Sequence, residues 1–356
     1  MRILHLDFEL TFRGAENQLM LLHKHLLAEN IESAVITARD SAFAQNARKS
    51  GTKNVRTLAR SALKIGEFDP MLSLKVLREV NSFKPSIIHC HSAHAAGIVF
   101  MAKAFLPGSI KIIFRRAVSN RIGAFSRFKY ESAHCLIAVC EAAKNELVDR
   151  GVSPGRIKII HSGIIFPGNG KRARKDNSGR LNLGTLCALD KKQKDVQTLI
   201  KAADTLKSKG YEFNLEIHGD GPDLDRLKDL SSSLKLEDSV HFAGWSDDIN
   251  ASIAALDIFV MPSLEEGTSN ALITAMSLGL PCIATAAGGN PEVLKDAGLL
   301  TRPADSTDLA QALSSLIDSA DLRISLGDTA RSRSQDFSFE KTFQKTLNCY
   351  KELLKH

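Results

Sequence analysis

Apolar residues along this chain gather in short runs of four to six, set off by glycine, proline and charged residues, and the longer segments between them repeat at helical spacing. Arg2 to Asp7 reads as a buried first strand, followed by a glycine turn at Arg13-Gly14 and a helix from about Ala15 to Glu29. Ile31 to Thr37, Ser86 to Cys90 (after a proline stop), Lys111 to Phe114 and Cys135 to Val139 predict further strands, and Ile157 to His161 closes a first half. The stretch Pro167 to Arg180, PGNGKRARKDNSGR, breaks the pattern: it has no large apolar residue, three glycines and many charges, and reads as a linker. A second half places strands at Leu181 to Leu186, Phe213 to His218, Val240 to Phe242, Ile258 to Met261 and Pro281 to Ala284, with helices between them, one running from Val196 to Ala203. Strand–helix alternation of this kind predicts parallel sheets with helices on both faces. The expected domains are 1–166 and 181–337, joined by the linker 167–180. The residues from about Phe337 onward repeat at helical spacing and end basic.

The chain has 356 residues, too many for one ordinary core, which agrees with two domains. Hydrophobic residues make up 44% and charged residues 24%, ordinary for a soluble globular protein. No stretch approaches the roughly 18 apolar residues that span a bilayer. Met1 to Asp7 is too short and too soon acidic for a signal peptide, so the expected location is the cytoplasm. The six cysteines (Cys90, Cys135, Cys140, Cys187, Cys282 and Cys349) form no close pair and sit mostly in apolar runs, as reduced core residues do. The net charge of +7, from 47 basic and 40 acidic residues, suits acidic small molecules or an anionic membrane surface. No helix-turn-helix, zinc finger or aromatic RNA-binding signature is present, so nucleic acid is not an expected partner.

Several strand exits carry candidate chemistry. Pro262 to Ala271, PSLEEGTSNA, follows an apolar strand and opens a helix ending at Gly279. Open α/β sheets bind ligands at such carboxyl ends of strands. The amides of Asn270 and Ala271 would meet an anion at the helix start, and Gly267 would let the backbone approach a phosphate or sugar. Taken alone, the segment reads equally as a solvated loop with a capping hydroxyl. His218-Gly219-Asp220-Gly221-Pro222, Asp190 to Asp195 with its lysines, and Ala287 to Glu292 occupy three further exits of the same half. Each has a bland reading as a turn or solvated loop; four exits from one sheet together point to a ligand.

In this order the motifs resemble the large retaining glycosyltransferase family four, which has the GT-B fold. The resemblance is carried by Gly219-Asp220-Gly221-Pro222, by Val240 to Gly244, and by the run Asp257 to Glu292, DIFVMPSLEEGTSNALITAMSLGLPCIATAAGGNPE. Arg13 to Gln18 looks like the family's glycine loop, and Phe337 to Tyr350 like its final helix. The resemblance implies two Rossmann-like α/β domains facing a cleft, with the tail, 338–356, returning to the first domain and the linker acting as a hinge. It implies transfer of a sugar from a nucleotide diphosphate to a glycan or glycolipid acceptor in lipopolysaccharide or other cell-surface polysaccharide synthesis. By the same resemblance Lys194 contacts the diphosphate and Glu266 the sugar hydroxyls, and these two carry catalysis. Gly14, Gly219, Gly221, Gly267, Thr268, Asn270, Ala271, Thr274 and Glu292 bind the donor. No metal or cofactor is implied, because a cation and helix N–H groups take up the charge of the departing diphosphate. The chain departs from the pattern at Thr274, where the family has a second glutamate, and at Ala188, where it often has an arginine. After the strand Lys111 to Phe114 some members carry a histidine, and this chain has Arg115 and Arg116. A non-catalytic paralogue and a sugar-nucleotide epimerase share this outline.

Two features of the first half remain. His89 and His91, two apart on a strand, could share a face, but no second ligand group is evident and no metal is expected. The resemblance puts His91 on the acceptor side, with Arg115 and Arg116; a buried, hydrogen-bonded histidine is the other reading. Lys111 to Tyr130 holds Lys111, Arg115, Arg116, Arg121, Arg127 and Lys129 with no acid, interleaved with Phe114, Phe125, Phe128 and Tyr130. Nucleic acid is one reading of it; a surface for a phosphorylated glycolipid acceptor at an anionic membrane is the better one given the fold, and an ordinary solvated face is the third.

Overall fold

The computed structural model describes residues 1–60, 69–117, 126–167, 179–190, 193–246 and 248–355. The body of the expected linker, 168–178, and with it Arg121, Phe125, Lys191 and Lys192, lie outside the described residues. The chain forms two compact units, Met1–Ser162 with Thr342–His356, and Gly163–Lys341.

In the first unit seven strands, β1 (Arg2–Asp7), β2 (Glu32–Ala38), β3 (Val55–Leu58), β4 (Ile87–Cys90), β5 (Lys111–Arg116), β6 (Cys135–Ala138) and β7 (Ile157–Ile159), form one parallel sheet. Their order is β3-β2-β1-β4-β5-β6-β7, so the direction of winding reverses between β1 and β4. Nearly every residue of β1, β4 and β6 is buried, as expected where helices cover both faces of a parallel sheet. Leu4, Leu6, Ile36, Ile88, Cys90, Phe114 and Leu136 point to one face, where they pack with Leu72, Val76 and Val80 of the helix Pro70–Phe83 and with Ile98 and Val99 of the helix Ala93–Ala102. The alternate positions, His5 and His89 among them, point to the face covered by the helix Gly14–Ala28 and the terminal helix Phe339–Leu353. That terminal helix returns to the first unit as expected. Phe343, Cys349 and Tyr350 are buried, Thr342 donates to the His161 carbonyl at 3.0 Å, and Lys158 pairs with Glu352.

Among the described residues the second unit has six parallel strands, β8 (Leu181–Leu186), β9 (Phe213–His218), β10 (Val240–Gly244), β11 (Ile258–Met261), β12 (Cys282–Thr285) and β13 (Leu299–Thr301). The order β10-β9-β8-β11-β12-β13 reverses between β8 and β11. Here too apolar residues of both sheet faces are buried: Leu183, Leu215, Ile217 and Ile283 in one cluster, Phe259, Met261, Cys282 and Ala284 in another. No helix among the described residues is long and apolar enough to cross a membrane.

Candidate functional site

In open α/β sheets the crevice for ligands lies at the carboxyl ends of strands where the winding reverses. In the second unit this is the point between β8 and β11, and Lys194 and Glu266 lie just beyond these two strands. Their side chains meet: Lys194 Nζ donates to Glu266 Oε2 at 2.5 Å, with 17% and 11% of the two side chains exposed. Ser263 Oγ donates to the same carboxylate oxygen at 3.1 Å.

Local chemistry sets this geometry. The Lys194 amide closes a turn on the Asp190 carbonyl at 2.8 Å, and the chain then enters its helix through Asp195, whose φ of +43° is left-handed. Thr198 Oγ1 holds the Asp195 carboxylate at 2.6 Å. The two exits are stitched together, since the Leu264 amide donates to the Gln193 carbonyl at 2.7 Å. Thr285 at the end of β12 donates its hydroxyl to the Ser263 carbonyl, and the Gly289 amide reaches the Glu266 carbonyl at 3.2 Å.

The other second-unit residues singled out in the sequence divide into two groups. Ser269 caps the helix Asn270–Ser277 by accepting from the Leu272 amide at 3.3 Å, which leaves the first two amides, Asn270 and Ala271, at its open end. Gly267 and Thr268 connect Glu266 to that cap. Thr274 is 5% exposed, one turn inside the helix, and its carbonyl accepts from Ser277 Oγ. Glu292 lies on the short helix Asn290–Leu294 beyond β12, its carbonyl bound by Arg333 at 2.9 Å. Gly219 and Gly221 serve the chain's own backbone. Gly219 has φ +139°, and a Cβ there would collide with the Cys187 carbonyl oxygen; one at Gly221 would collide with that of Leu189. These glycines let the β9 exit lie against the β8 exit, where the Leu189 amide donates to the Asp220 carbonyl at 3.0 Å. They support the loop that carries Lys194. Ala188 lies on that loop, and its carbonyl accepts from the Asp190 amide.

Gly14 belongs to the first unit, exposed at the start of the helix Gly14–Ala28. In this unit the winding reverses between β1 and β4, and polar groups gather there. His91, just past β4, is 6% exposed and its Nε2 lies 3.0 Å from His5 Nδ1 on β1. The rings of His89 and His91 lie 4.0 Å apart, centroid to centroid, and His89 Nδ1 is 2.6 Å from the Tyr350 hydroxyl of the terminal helix. Burial lowers all three histidines, His89 to about 3, with the Arg115 charge adding to the effect on His89 and His91. Each of the three offers a ring nitrogen within 4.8 Å of the others, the spacing of groups that could hold a metal ion. His5 is thus the third histidine of this group, which the sequence did not disclose. It pairs in register with His89 across neighbouring strands, a relation that no local spacing reveals.

Arg115 and Arg116 are separated by the strand's alternation. Arg115 is half-buried and donates from Nη2 to Ser162 Oγ at 2.9 Å; burial pulls it down to about 10 against the pull of Glu16 and Asp7. Arg116 is 8% exposed, on the opposite face, with Nη1 3.5 Å from the Tyr130 hydroxyl. Lys129 is 2% exposed. The basic stretch is therefore not one solvated face: three of its cations are drawn into the unit.

Asp7, at the end of β1, was not visible as a site residue. It is 1% exposed, and burial, then the charge of Glu16, raises its carboxyl from 3.8 to about 7; Ser92 and the Glu9 amide offset only part of this. The folded chain thus binds this proton more tightly than the unfolded chain. Stability owed to the protonated form is full below the unfolded value and is lost as pH rises through the window from 3.8 to about 7. The loss amounts to about 4 kcal/mol at about 1.4 kcal/mol per unit. The buried histidines act in the opposite sense on acidification, so the informative quantity is the difference between wild type and Asp7→Asn. Urea melts across pH 4–8 are expected to show that difference changing by a few kcal/mol in favour of Asp7→Asn as pH rises; a constant difference removes the assignment.

Residues 12–165 match the family model described as Glycosyltransferase Family 4, and residues 180–319 match the one described as Glycosyl transferases group 1. An uncharacterized glycosyltransferase of Haemophilus influenzae is 28% identical over 212 residues, 59% of this chain and 59% of that protein. The lipopolysaccharide core biosynthesis glycosyltransferase LpsE of Rhizobium meliloti is 26% identical over 267 residues, 72% of this chain and 73% of that one. Among solved structures, Anabaena HepE in complex with UDP superposes with a TM-score of 0.85 at 20% identity, covering 99% of this chain and 100% of that one, which shows the fold. With two parallel α/β units, matching family domains across both and relatives that are transferases, this chain is a GT-B glycosyltransferase built from a family 4 domain and a group 1 domain.

Proposed function

We propose that this enzyme transfers a sugar, with retention of anomeric configuration, from a nucleoside diphosphate sugar to a glycan or glycolipid acceptor in the synthesis of lipopolysaccharide or another cell-surface polysaccharide. The observation that carries the reading is the Lys194–Glu266 pair beside the winding reversal of the second unit. The ammonium and the carboxylate exchange each other for the two halves of the donor. Lys194 takes the diphosphate, aided by the amides of Asn270 and Ala271 and the dipole of their helix. Glu266 takes hydroxyls of the sugar. As the bond from the anomeric carbon to the diphosphate oxygen breaks, negative charge grows beside Lys194 and the helix start, where it is stabilised without a metal. The acceptor hydroxyl forms the new bond to that carbon, and its proton leaves with the diphosphate. The acceptor belongs to the first unit, near His91 and Arg115, and the enzyme works at the inner face of the membrane. A relative that builds lipopolysaccharide core and a structural neighbour that binds UDP support the pathway and a nucleotide-sugar donor.

A thermal-shift screen with UDP, GDP, ADP and their common sugar conjugates tests the donor. A ligand held at about one hundred times its Kd adds about 2.7 kcal/mol to stability. One sugar nucleotide is expected to raise the Tm by several degrees, undiminished by EDTA, and to raise it less in Glu266→Ala. No shift with any of them, or a shift abolished by EDTA, contradicts the reading.

A further inference from the structure

The net charge of this chain is concentrated in one segment. Of its 47 basic and 40 acidic residues, ten basic and three acidic lie within residues 69–132, which leaves 37 of each sign elsewhere. The segment therefore carries the whole excess of +7.

It also builds one side of the first unit. The helices Pro70–Phe83, Ala93–Ala102 and Ser126–Glu131 lie side by side over the sheet face of Leu4, Leu6 and Ile88. Their outer surface exposes large apolar side chains: Phe105 is 74% exposed, Phe128 63%, Leu74 57% and Met71 49%. Met71, Leu74 and Arg78 recur at helical spacing along the outward stripe of the first of these helices. Lys103 Nζ donates to the Ser132 carbonyl at 2.6 Å, which draws the turn of Phe105 to the end of the helix bearing Phe128. The three acids of the segment are already engaged. Asp69 is fully buried and caps its helix through the Leu72 amide, Glu79 pairs with Arg56 at 2.6 Å and Glu131 with Arg127 at 3.3 Å.

We infer that this face, with Phe105 and Phe128 beside Lys103 and with Met71 and Leu74 beside Arg78, docks the enzyme on an anionic lipid bilayer. Exposed aromatic and aliphatic side chains gain by entering the boundary between headgroups and acyl chains. Basic groups around them meet lipid phosphates, and the buried cations Arg116 and Lys129, on this side of the sheet, add to the same local field. Four exposed apolar side chains set among cations fit the apolar boundary and the phosphates of such a bilayer together. The inference rests on the membrane-borne acceptor proposed above, yet it is tested without donor or acceptor.

The test is sedimentation of the full chain with phosphatidylcholine vesicles, with and without phosphatidylglycerol, at low and high salt. Binding is expected only with the anionic lipid, and it should weaken as salt screens the charges. Phe105→Ser with Phe128→Ser, and separately Arg78→Glu with Lys103→Glu, should each lower the partition coefficient about tenfold or more. Lys201→Glu, the same charge reversal on an exposed site of the second unit, should leave it unchanged. Thermal melts confirm that each variant is folded, and an unchanged donor-induced Tm shift separates loss of docking from loss of the glycosyltransferase site. Equal binding to both vesicles, equal loss in Lys201→Glu, or a change only in self-association when the phenylalanines are replaced overturns the inference.

Discussion

Lys194→Ala is expected to lower turnover by about two to three orders of magnitude, the range found when one group that stabilises developing charge is removed. The arginine that often accompanies this lysine in the family is represented by Ala188, so no second cation at that position shares the task. The structure places the ammonium on the carboxylate of Glu266 at 2.5 Å, anchored by a turn on Asp190 and by the stitch from Leu264 to Gln193. A longer or displaced cation cannot reproduce that position, so Lys194→Arg is expected to recover only part of the activity. The loss should lie in kcat at saturating donor, because charge on the diphosphate grows toward the transition state. Stability should fall as well, because a mostly buried carboxylate loses its cation, with the Ser263 hydrogen bond offsetting part of the loss. Rapid-quench kinetics with the donor identified by thermal shift provides the measurement. Near-normal kcat in Lys194→Ala would take the residue out of the site.

Glu266→Ala is expected to cost at least ten times more in kcat/KM than Thr274→Ala. In the family pattern both positions carry glutamate, eight residues apart, and the second grips the ribose. Thr274 offers a single hydroxyl and is 5% exposed within its helix, so its removal takes away one neutral contact at most. A hydrogen bond to a charged group contributes about 1.5–3 kcal/mol, against about 1 for a neutral one. Glu266 stands to lose more than its sugar contacts. Its carboxylate is also what holds Lys194 and Ser263, so alanine there frees the ammonium and unsettles the loop between β11 and the helix Asn270–Ser277. Glu266→Gln keeps the shape and loses the charge, and should fall between the two. Steady-state kinetics on the three variants decides the matter: if Glu266→Ala costs no more than Thr274→Ala, Glu266 does not hold the donor sugar.

The alternation of strand and helix, and with it the fold class, could be read from the chain, because parallel strands buried on both faces must be nearly continuous apolar runs. Leu181–Leu186, Phe213–His218 and Ile258–Met261 follow from the sequence to the residue on that basis. Val55–Leu58 and Leu299–Thr301 do not stand out in the sequence: each is an edge strand of its sheet, only partly buried, with no more than two apolar residues. Resemblance singled out Lys194 and Glu266 in the sequence, but their contact across 72 residues exists only because β8 and β11 are neighbours.

Local spacing could not decide the rest. A count of cations along Lys111 to Tyr130 suggested a surface, while burial turned Arg116 and Lys129 inward and bound Arg115 to Ser162. His5 joined His91 through strand register, and Asp7 acquired its perturbed carboxyl from the packing around β1. Periodicity is a property of neighbours in the chain, so the sequence by itself determined the elements and their type. Side-chain meetings and the local dielectric arise from strand order and close packing, which only the tertiary structure decided.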